Sequence, residues 1–285
     1  MTSIYKSADG RVTVRAVYDK LLSQLPAEIE QHYVTTSQGP TFVLAAGKLD
    51  APPVVFFHGS LSNAITWGRE LTRLAQRFRV YAIDMIGEAG KSAESRPPLH
   101  SDAYRQWLRE VFQQLGVAQP ILVGLSLGGW LALNYATHFP NDVKGLLLIS
   151  PGGVGRNRNI LLWALPYLLL GQWGVKRFYR RVLGPLGDEL EGTELSHFLQ
   201  TIATHVNPRT EALPIVSDQQ LAALPCPVLL LIGGQDLMLY PEEIRARLKR
   251  NLRHYEEVYL AEAGHYLGDQ SVAIDRFLAS LVVTG

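Results

Sequence analysis

The chain has 285 residues, of which 47% are hydrophobic, so it is long enough for one large α/β domain with a sizeable core. Its formal net charge of +1 gives no reason to expect nucleic-acid binding. The single cysteine, Cys226, excludes an intramolecular disulfide and lacks the companions of a metal cluster, so we expect a small buried apolar residue. No metal or cofactor is indicated.

Two segments bear on targeting and membrane insertion. The first residues, Met1 to Lys6, contain no apolar signal-peptide core, which predicts a cytoplasmic protein. The stretch from Ile160 to Val175 is rich in Leu and Trp, but it is too short and too interrupted for a spanning helix. We therefore expect no stable membrane insertion.

The first predicted elements are a helix and a β-hairpin. Apolar residues in 11–25 recur at helical spacing, and Pro26 ends the pattern, which predicts a leading helix packed on the domain edge. His32 to Thr36 and Thr41 to Ala45 flank a short turn and predict two antiparallel strands.

A continuous apolar run, Val54 to Phe57, predicts a strand covered on both faces. It is followed by His58 and Gly59. We interpret His58 as a structural residue that props the loop, because a better-placed histidine follows later in the chain. Gly59 allows the backbone to turn tightly, so that the N–H of Ser60 can point back toward the centre of the site.

The next helix is predicted over Thr66 to Phe78, and Val80 to Asp84 predicts a strand. The sequence Gly90-Lys91-Ser92 then suggests a phosphate-binding loop. That loop requires a glycine five positions before Gly90, where this chain has Met85, so we do not expect nucleotide binding. Asp84 is expected to brace the loop with its carboxylate.

A clear amphipathic helix follows. Asp102 can cap it, Gly116 can end it, and its apolar residues fall on one stripe: Tyr104, Trp107, Leu108, Val111, Phe112 and Leu115. The alternation of strands and helices indicates right-handed βαβ units and a mainly parallel sheet.

The central motif is Gly124-Leu125-Ser126-Leu127-Gly128, between an apolar strand-like run and a helix-like stretch. This is the nucleophile-elbow pattern Gly-x-Ser-x-Gly in the context that it requires. The sharp turn predicts a positive φ at Ser126, and the two glycines remove Cβ atoms that would clash. The N–H groups of Ser60 and Leu127 could then form an oxyanion hole.

Val143 to Ile149 predicts another strand, and no carboxylate follows it. The strand–helix rhythm stops from Gly152 to Leu213, which predicts an inserted helical cap. Apolar cap residues are expected to roof a hydrophobic pocket: Leu161, Leu162, Trp163, Leu165, Tyr167 and Leu168 to Leu170. Six basic residues and no acidic one lie between Arg156 and Arg181. They suggest a site for acidic groups or a membrane surface, or a solvated face beside the lid, which we prefer.

Two later strand ends carry the remaining polar candidates. Val228 to Ile232 leads to Asp236, and a strand near Glu257 to Leu260 leads to His265. A serine needs a base to become a nucleophile, and a carboxylate can orient that base. Separately, Asp236 could cap a helix and His265 could satisfy a core hydrogen bond. Together with Ser126 they predict a catalytic triad.

From about residue 30 onward the chain resembles the α/β-hydrolase family. Four motifs carry the resemblance: His58-Gly59-Ser60, the elbow, Gly233-Gly234-Gln235-Asp236 and Ala263-Gly264-His265. The resemblance implies a mostly parallel, doubly wound sheet with an inserted helical cap. It also implies the nucleophile Ser126, the acid Asp236, the base His265, and oxyanion donors on Ser60 and Leu127.

More loosely, the chain looks like bacterial carboxylesterases that cleave naproxen esters, because of its N-terminal helix and the Asp84-to-Ser92 loop. In that loop Gly90 is displaced by one position from the pattern Asp-x-x-Gly-x-Gly-x-Ser. We predict an N-terminal helical extension (1–29), a hydrolase core (30–151 and 214–285) and a helical cap (152–213).

The predicted function is a serine hydrolase that cleaves a small, largely apolar carboxylic ester through an acyl-enzyme on Ser126. A serine-dependent C–C, amide, lactone or peracid activity stays open, since the triad does not separate these reactions. A ligand receptor with slow turnover is a further alternative. Dehalogenase and epoxide hydrolase activities need a carboxylate nucleophile and are not expected. The expected partner is a small-molecule substrate.

Overall fold

The computed structural model describes residues 3–156, 158, 166–167 and 169–282. Their central element is an eight-stranded sheet of order β1-β2-β4-β3-β5-β6-β7-β8. The strands are β1 (Glu30–Thr36), β2 (Gly39–Ala46), β3 (Pro53–Phe57), β4 (Arg79–Ile83), β5 (Ile121–Leu125), β6 (Gly145–Ile149), β7 (Val228–Gly233) and β8 (Tyr255–Leu260). The β1–β2 and β2–β4 pairs are antiparallel and the other pairs are parallel, which confirms the predicted fold class.

Helices flank this sheet. Within the described residues they are α1 (Ala8–Ser23), α2 (Gly68–Leu74), α3 (Ala103–Leu115), α4 (Leu127–His138), α5 (Gly171–Leu183), α6 (Glu194–His205), α7 (Asp218–Ala222), α8 (Pro241–Asn251) and α9 (Ser271–Val282). Gly116, at a φ of +66°, ends α3 as predicted. Asp102 precedes α3, but its carboxylate makes no capping bond and instead pairs with Arg105.

The core has two apolar layers, one on each face of the sheet. On β5, Leu122 belongs to the layer that includes α3 and α4, whereas Ile121 and Val123 belong to the layer on the other face. Successive strand residues point to opposite faces, so a strand covered on both faces must be apolar throughout. This explains why the central strands show continuous hydrophobic runs rather than alternation.

The predicted leading helix is present and packs on the domain through one buried face. It begins at Ala8, because the Ser7 hydroxyl accepts a hydrogen bond from the Gly10 N–H at 3.0 Å. On the buried face, Tyr18 stacks on Phe198 of α6 and donates its hydroxyl to Asp84 at 2.9 Å.

Two other predicted elements differ in detail. The helix predicted from Thr66 to Phe78 is split into a 3-10 turn, Ala64–Trp67, and the short α2. The Asn63 side chain caps the turn by accepting from the Ile65 N–H. The hairpin is confirmed, with Thr36 paired to Gly39 across its turn.

Between β6 and β7 the described residues form α5, a 3-10 segment (Pro185–Leu190), α6 and α7. Their helical character agrees with an inserted cap, and the boundaries 152–213 stay a prediction. Leu169 and Leu170 are 81% and 56% exposed, so the expectation that they roof a pocket was wrong. The other expected roof residues, apart from Tyr167, lie outside the described residues: Leu161, Leu162, Trp163, Leu165 and Leu168. No described helix is long and apolar enough to cross a membrane.

Candidate active site

The elbow has the strained geometry that its sequence predicts. Ser126 has φ +53° and ψ −109°, and its N–H donates to the Ile149 carbonyl at 2.9 Å. A Cβ on Gly124 would lie 2.3 Å from the carbonyl oxygen of Gly128, and a Cβ on Gly128 would lie 2.3 Å from that of Phe57. Only glycine fits at either position, and the turn holds a serine in a conformation that L-residues rarely adopt.

The acid and the base predicted from the sequence meet in the structure. His265 Nδ1 lies 2.7 Å from Asp236 Oδ2, although the two residues are separated by 29 positions. Asp236 is 1% exposed, and its Oδ1 accepts the N–H groups of Met238 at 2.7 Å and Leu239 at 3.2 Å. The carboxylate is thus fixed by the backbone and accepts the Nδ1 proton, which leaves Nε2 as the acceptor needed for a general base.

The loop of His265 is also held by the end of α5. The N–H groups of His265 and Tyr266 donate to the carbonyls of Val182 and Leu183, each at 3.2 Å. A Cβ on Gly264 would lie 2.6 Å from the Leu183 carbonyl oxygen. This contact between α5 and the His265 loop was not predicted, because no local pattern signals it.

Ser126 and His265 are connected through the end of β6. The Ser126 N–H bonds to Ile149, and the next residue, Ser150, donates its hydroxyl to the His265 carbonyl at 3.4 Å. Among the described residues, no hydrogen bond joins Ser126 Oγ to the imidazole. Catalytic hydrogen bonds commonly tighten only when substrate is bound, so this geometry is compatible with general-base catalysis.

The two predicted oxyanion donors flank the serine. Leu127 is the first residue of α4, so its N–H lacks an intrahelical partner. A Cβ built on Gly59, next to Ser60, would lie 3.7 Å from Ser126 Cβ. Within the described part of the chain, neither the Ser60 N–H nor the Leu127 N–H is used by another hydrogen bond.

His58 props the loop, which confirms its predicted structural role. Its ring is fully buried, with Nδ1 2.8 Å from the Gly59 carbonyl and Nε2 accepting the Met85 N–H at 2.9 Å. Burial lowers the pKa of the His58 imidazole to about 4. The ring therefore stays neutral at physiological pH and joins two loops.

Asp84 braces the following loop, as predicted. Its buried carboxylate accepts the Tyr18 hydroxyl and the N–H groups of Ala64 and Lys91, at 2.8 to 2.9 Å. Burial raises the pKa of the Asp84 carboxyl to about 6, against these hydrogen bonds, which lower it. A Cβ on Gly90 would lie 2.3 Å from Oδ2, so the glycine serves the aspartate and not a phosphate.

Part of the basic stretch lines a cavity of about 500 Å³ next to residues 234–237. Its arginines are Arg158, Arg177, Arg180 and Arg181. Among the described residues, Arg158 lies over the Tyr240 ring, Arg177 lies over Trp173, and Arg180 pairs with Asp188. Arg177, Arg180 and Arg181 are exposed, which agrees with the preferred interpretation as a solvated face.

Cys226 is buried, as predicted, and burial raises its thiol pKa to about 11.

Glu88 is a buried residue of the site that the sequence did not single out. It is 1% exposed, and its Oε2 accepts the Leu61 N–H at 3.0 Å. A glutamate in a loop ordinarily indicates a solvated turn, so only the long-range packing reveals its position.

Two similar proteins of Bacillus subtilis align with almost the whole chain. It is 28% identical over 273 residues to an uncharacterized carboxylesterase, nap, of Bacillus subtilis, covering 93% of this chain and 90% of the relative. It is 29% identical over 278 residues to carboxylesterase YbfK of the same organism, covering 94% and 93%. The solved naproxen esterase of Bacillus subtilis superposes with a TM-score of 0.84 at 25% identity, covering 97% of this chain and 99% of that one.

The sequence pattern of the alpha/beta hydrolase family matches residues 54–278, which include the elbow, Asp236 and His265. The fold, this match and the full-length relatives agree with one another. The chain therefore belongs to the alpha/beta hydrolase family and is a hydrolase.

Proposed function

We propose that the chain is a carboxylesterase that hydrolyses a small, largely apolar ester through an acyl-enzyme on Ser126. The observation that carries this proposal is the 2.7 Å contact between His265 and Asp236 in a fold whose elbow holds Ser126 at positive φ. The similarity to two carboxylesterases over more than nine-tenths of the chain supports ester hydrolysis in particular.

In the proposed reaction, Ser126 Oγ attacks the ester carbonyl carbon while His265 Nε2 takes its proton. The carbonyl oxygen becomes an oxyanion that accepts hydrogen bonds from the Ser60 and Leu127 N–H groups. The tetrahedral intermediate expels the alcohol, which His265 protonates. A water molecule, deprotonated by His265, then attacks the acyl carbon. The bond between the acyl carbon and Ser126 Oγ breaks, His265 returns its proton to Oγ, and the carboxylic acid leaves. Asp236 stabilises the imidazolium in both half-reactions.

An apolar acyl group is supported by the similar solved structure, which is called a naproxen esterase in its own description. The apolar stretch Ile160 to Val175 adds no support where the structure describes it, because Leu169, Leu170 and Trp173 are exposed. The predicted cytoplasmic location stays a proposal that fractionation tests.

A substrate panel with the Ser126→Ala variant tests the proposal. The panel contains p-nitrophenyl acetate, butyrate and octanoate, an aryl-propionate ester, a lactone and an anilide. We expect kcat on the best ester to fall about 10⁴- to 10⁶-fold in Ser126→Ala, because the nucleophile is removed. Ser217→Ala, which removes the hydroxyl that caps α7, serves as the matched control.

Retention of more than a tenth of the wild-type kcat in Ser126→Ala contradicts the proposal. If the wild-type enzyme prefers the anilide or the lactone over every ester, the proposed substrate class is wrong, whereas the proposed nucleophile Ser126 still stands. Binding of the panel without turnover indicates a receptor on the same fold.

A further inference from the structure

The loop that carries the proposed oxyanion donor Ser60 is bonded to a buried carboxylate. Glu88, in the turn after β4, accepts the Leu61 N–H at 3.0 Å through Oε2. Leu61 has φ +55°, an unfavourable conformation for a leucine, so the peptide after Ser60 is held in place by its surroundings.

Two arginines compensate the charge of Glu88. Arg209 Nε lies 3.7 Å and Arg96 Nη2 lies 3.9 Å from Glu88 Oε1. The Arg209 side chain is 7% exposed and donates to the Tyr104 hydroxyl, while Arg96 Nε donates to the Gly87 carbonyl at 2.7 Å. We call Glu88, Arg96 and Arg209 the Glu88 cluster.

The Glu88 cluster is incompletely bonded. Glu88 Oε1 and Arg209 Nε are both buried, and neither has a hydrogen-bond partner among the described residues. Burying a carboxylate in this way is costly, so the cluster is a poor device for stability alone. The cluster does provide a strong, charge-assisted acceptor, the Glu88 carboxylate, for the backbone N–H of Leu61.

We propose that Glu88 is a positioning residue for the oxyanion hole. By binding the Leu61 N–H, it fixes the peptide that follows Ser60 and leaves the Ser60 N–H free to face the developing oxyanion. This inference rests on the proposed function. Arg209 lies in the chain segment that returns from α6 of the cap toward the core, so the cluster also links that segment to the oxyanion loop.

Mutating a positioning residue and mutating a residue that serves only stability have different measurable effects. Oxyanion donors act on the transition state, so a displaced donor lowers kcat with little change in KM. Removing one donor costs about 10²- to 10³-fold in kcat, and displacing it by a fraction of an ångström costs less. A residue that serves only stability moves the melting temperature and leaves the kinetics of the folded enzyme unchanged.

The test is the full-length Glu88→Gln variant, which keeps an acceptor of nearly the same size and removes its charge. We expect kcat for p-nitrophenyl butyrate to fall about 10- to 100-fold with KM within about 3-fold of wild type. The affinity of butylboronic acid, which forms a tetrahedral adduct on the serine, is expected to fall by a similar factor. Glu110→Gln is the matched control, because Glu110 also accepts a loop N–H and a hydroxyl, both from Ser37.

A folded Glu88→Gln variant with kcat within 2-fold of wild type, or with a change in KM alone, overturns the inference. If this variant does not fold, Arg209→Lys is measured instead, and it is expected to lower kcat at least 3-fold without raising KM; an unchanged kcat overturns the inference. If wild-type enzyme is acylated at Ser126 and the variants keep the wild-type kcat, this inference alone is overturned. Absence of acylation at Ser126 overturns the proposed function with it.

Discussion

The loops that follow β3, β4, β5, β7 and β8, which we call the floor of the candidate site, are built differently from the predicted cap (152–213). In the floor, Asp84 and Asp236 accept three hydrogen bonds each and His58 makes two, whereas Glu88 accepts one. In the cap, Trp173 is 62% and Leu169 81% exposed, and several of the arginines lie in solvent. The groups proposed for chemistry thus belong to the part of the site that is buried and held by hydrogen bonds.

The two regions differ in how much free energy a lost contact costs. Leaving a buried polar group without its partner costs about 1–3 kcal/mol, whereas an exposed ion pair contributes about 0–1 kcal/mol. Changes in the floor therefore alter catalysis or stability, while the outer cap surface tolerates substitution.

The largest expected effect is that of Asp236→Asn in the floor. An amide in this position no longer favours the imidazole tautomer with a proton on Nδ1, so the base is misoriented. We expect kcat to fall about 10⁴-fold at pH 7.5 with little loss of stability, measured with p-nitrophenyl butyrate. Asp188→Asn, an exposed carboxylate lining the arginine cavity, is the control. An Asp236→Asn kcat within 10-fold of wild type would show that another residue orients the base.

The second prediction concerns the pH dependence of stability. The pKa of His58 is about 4 in the folded protein and near 6.5 when unfolded, so only the unfolded chain takes up the proton between these values. Stability from this group is present above pH 6.5 and is lost as the pH falls toward 4. The total loss is about 3 kcal/mol.

Urea unfolding of wild type and His58→Gln between pH 7 and pH 4.5 measures this loss. Glutamine does not titrate, so the stability advantage of wild type should shrink by about 2 kcal/mol over this range. His254→Gln, at an exposed position, is the matched control. A constant difference between wild type and His58→Gln would mean that the ring is not held neutral by burial.

The smallest expected effect lies on the cap. Leu169→Ser removes an exposed apolar side chain, so the free energy of unfolding should change by less than about 0.5 kcal/mol. KM for p-nitrophenyl butyrate should stay within about 2-fold. Leu221→Ser, at a fully buried position, should lose about 3 kcal/mol or more and provides the contrast. A larger effect of Leu169→Ser on KM would mean that the cap closes over the substrate through this residue.

Local patterns predicted the elements that carry the candidate site. The elbow glycines, the apolar strands before Asp236 and His265, and the glycine at the end of α3 each have a local physical cause. The contacts that brace the site are different in kind. Tyr18 reaches Asp84 across 66 positions, and Arg209 reaches Glu88 across more than 100, so no periodicity in the sequence could have indicated either pair.

The expected roof of the pocket shows the opposite error. An apolar run predicts burial, but Leu169 and Leu170 are mostly exposed. Hydrophobicity is a one-way guide, because much of a folded protein's surface is apolar as well. An apolar run therefore does not predict which of its side chains are buried.

The most direct test of the account is the mass of the enzyme during turnover. Wild-type protein mixed with p-nitrophenyl butyrate and quenched in acid should carry one butyryl group, on the peptide that contains Ser126. The Ser126→Ala variant should carry none. Ester hydrolysis by wild type with the acyl group on another residue, or with no acyl group at any quench time, would contradict the account.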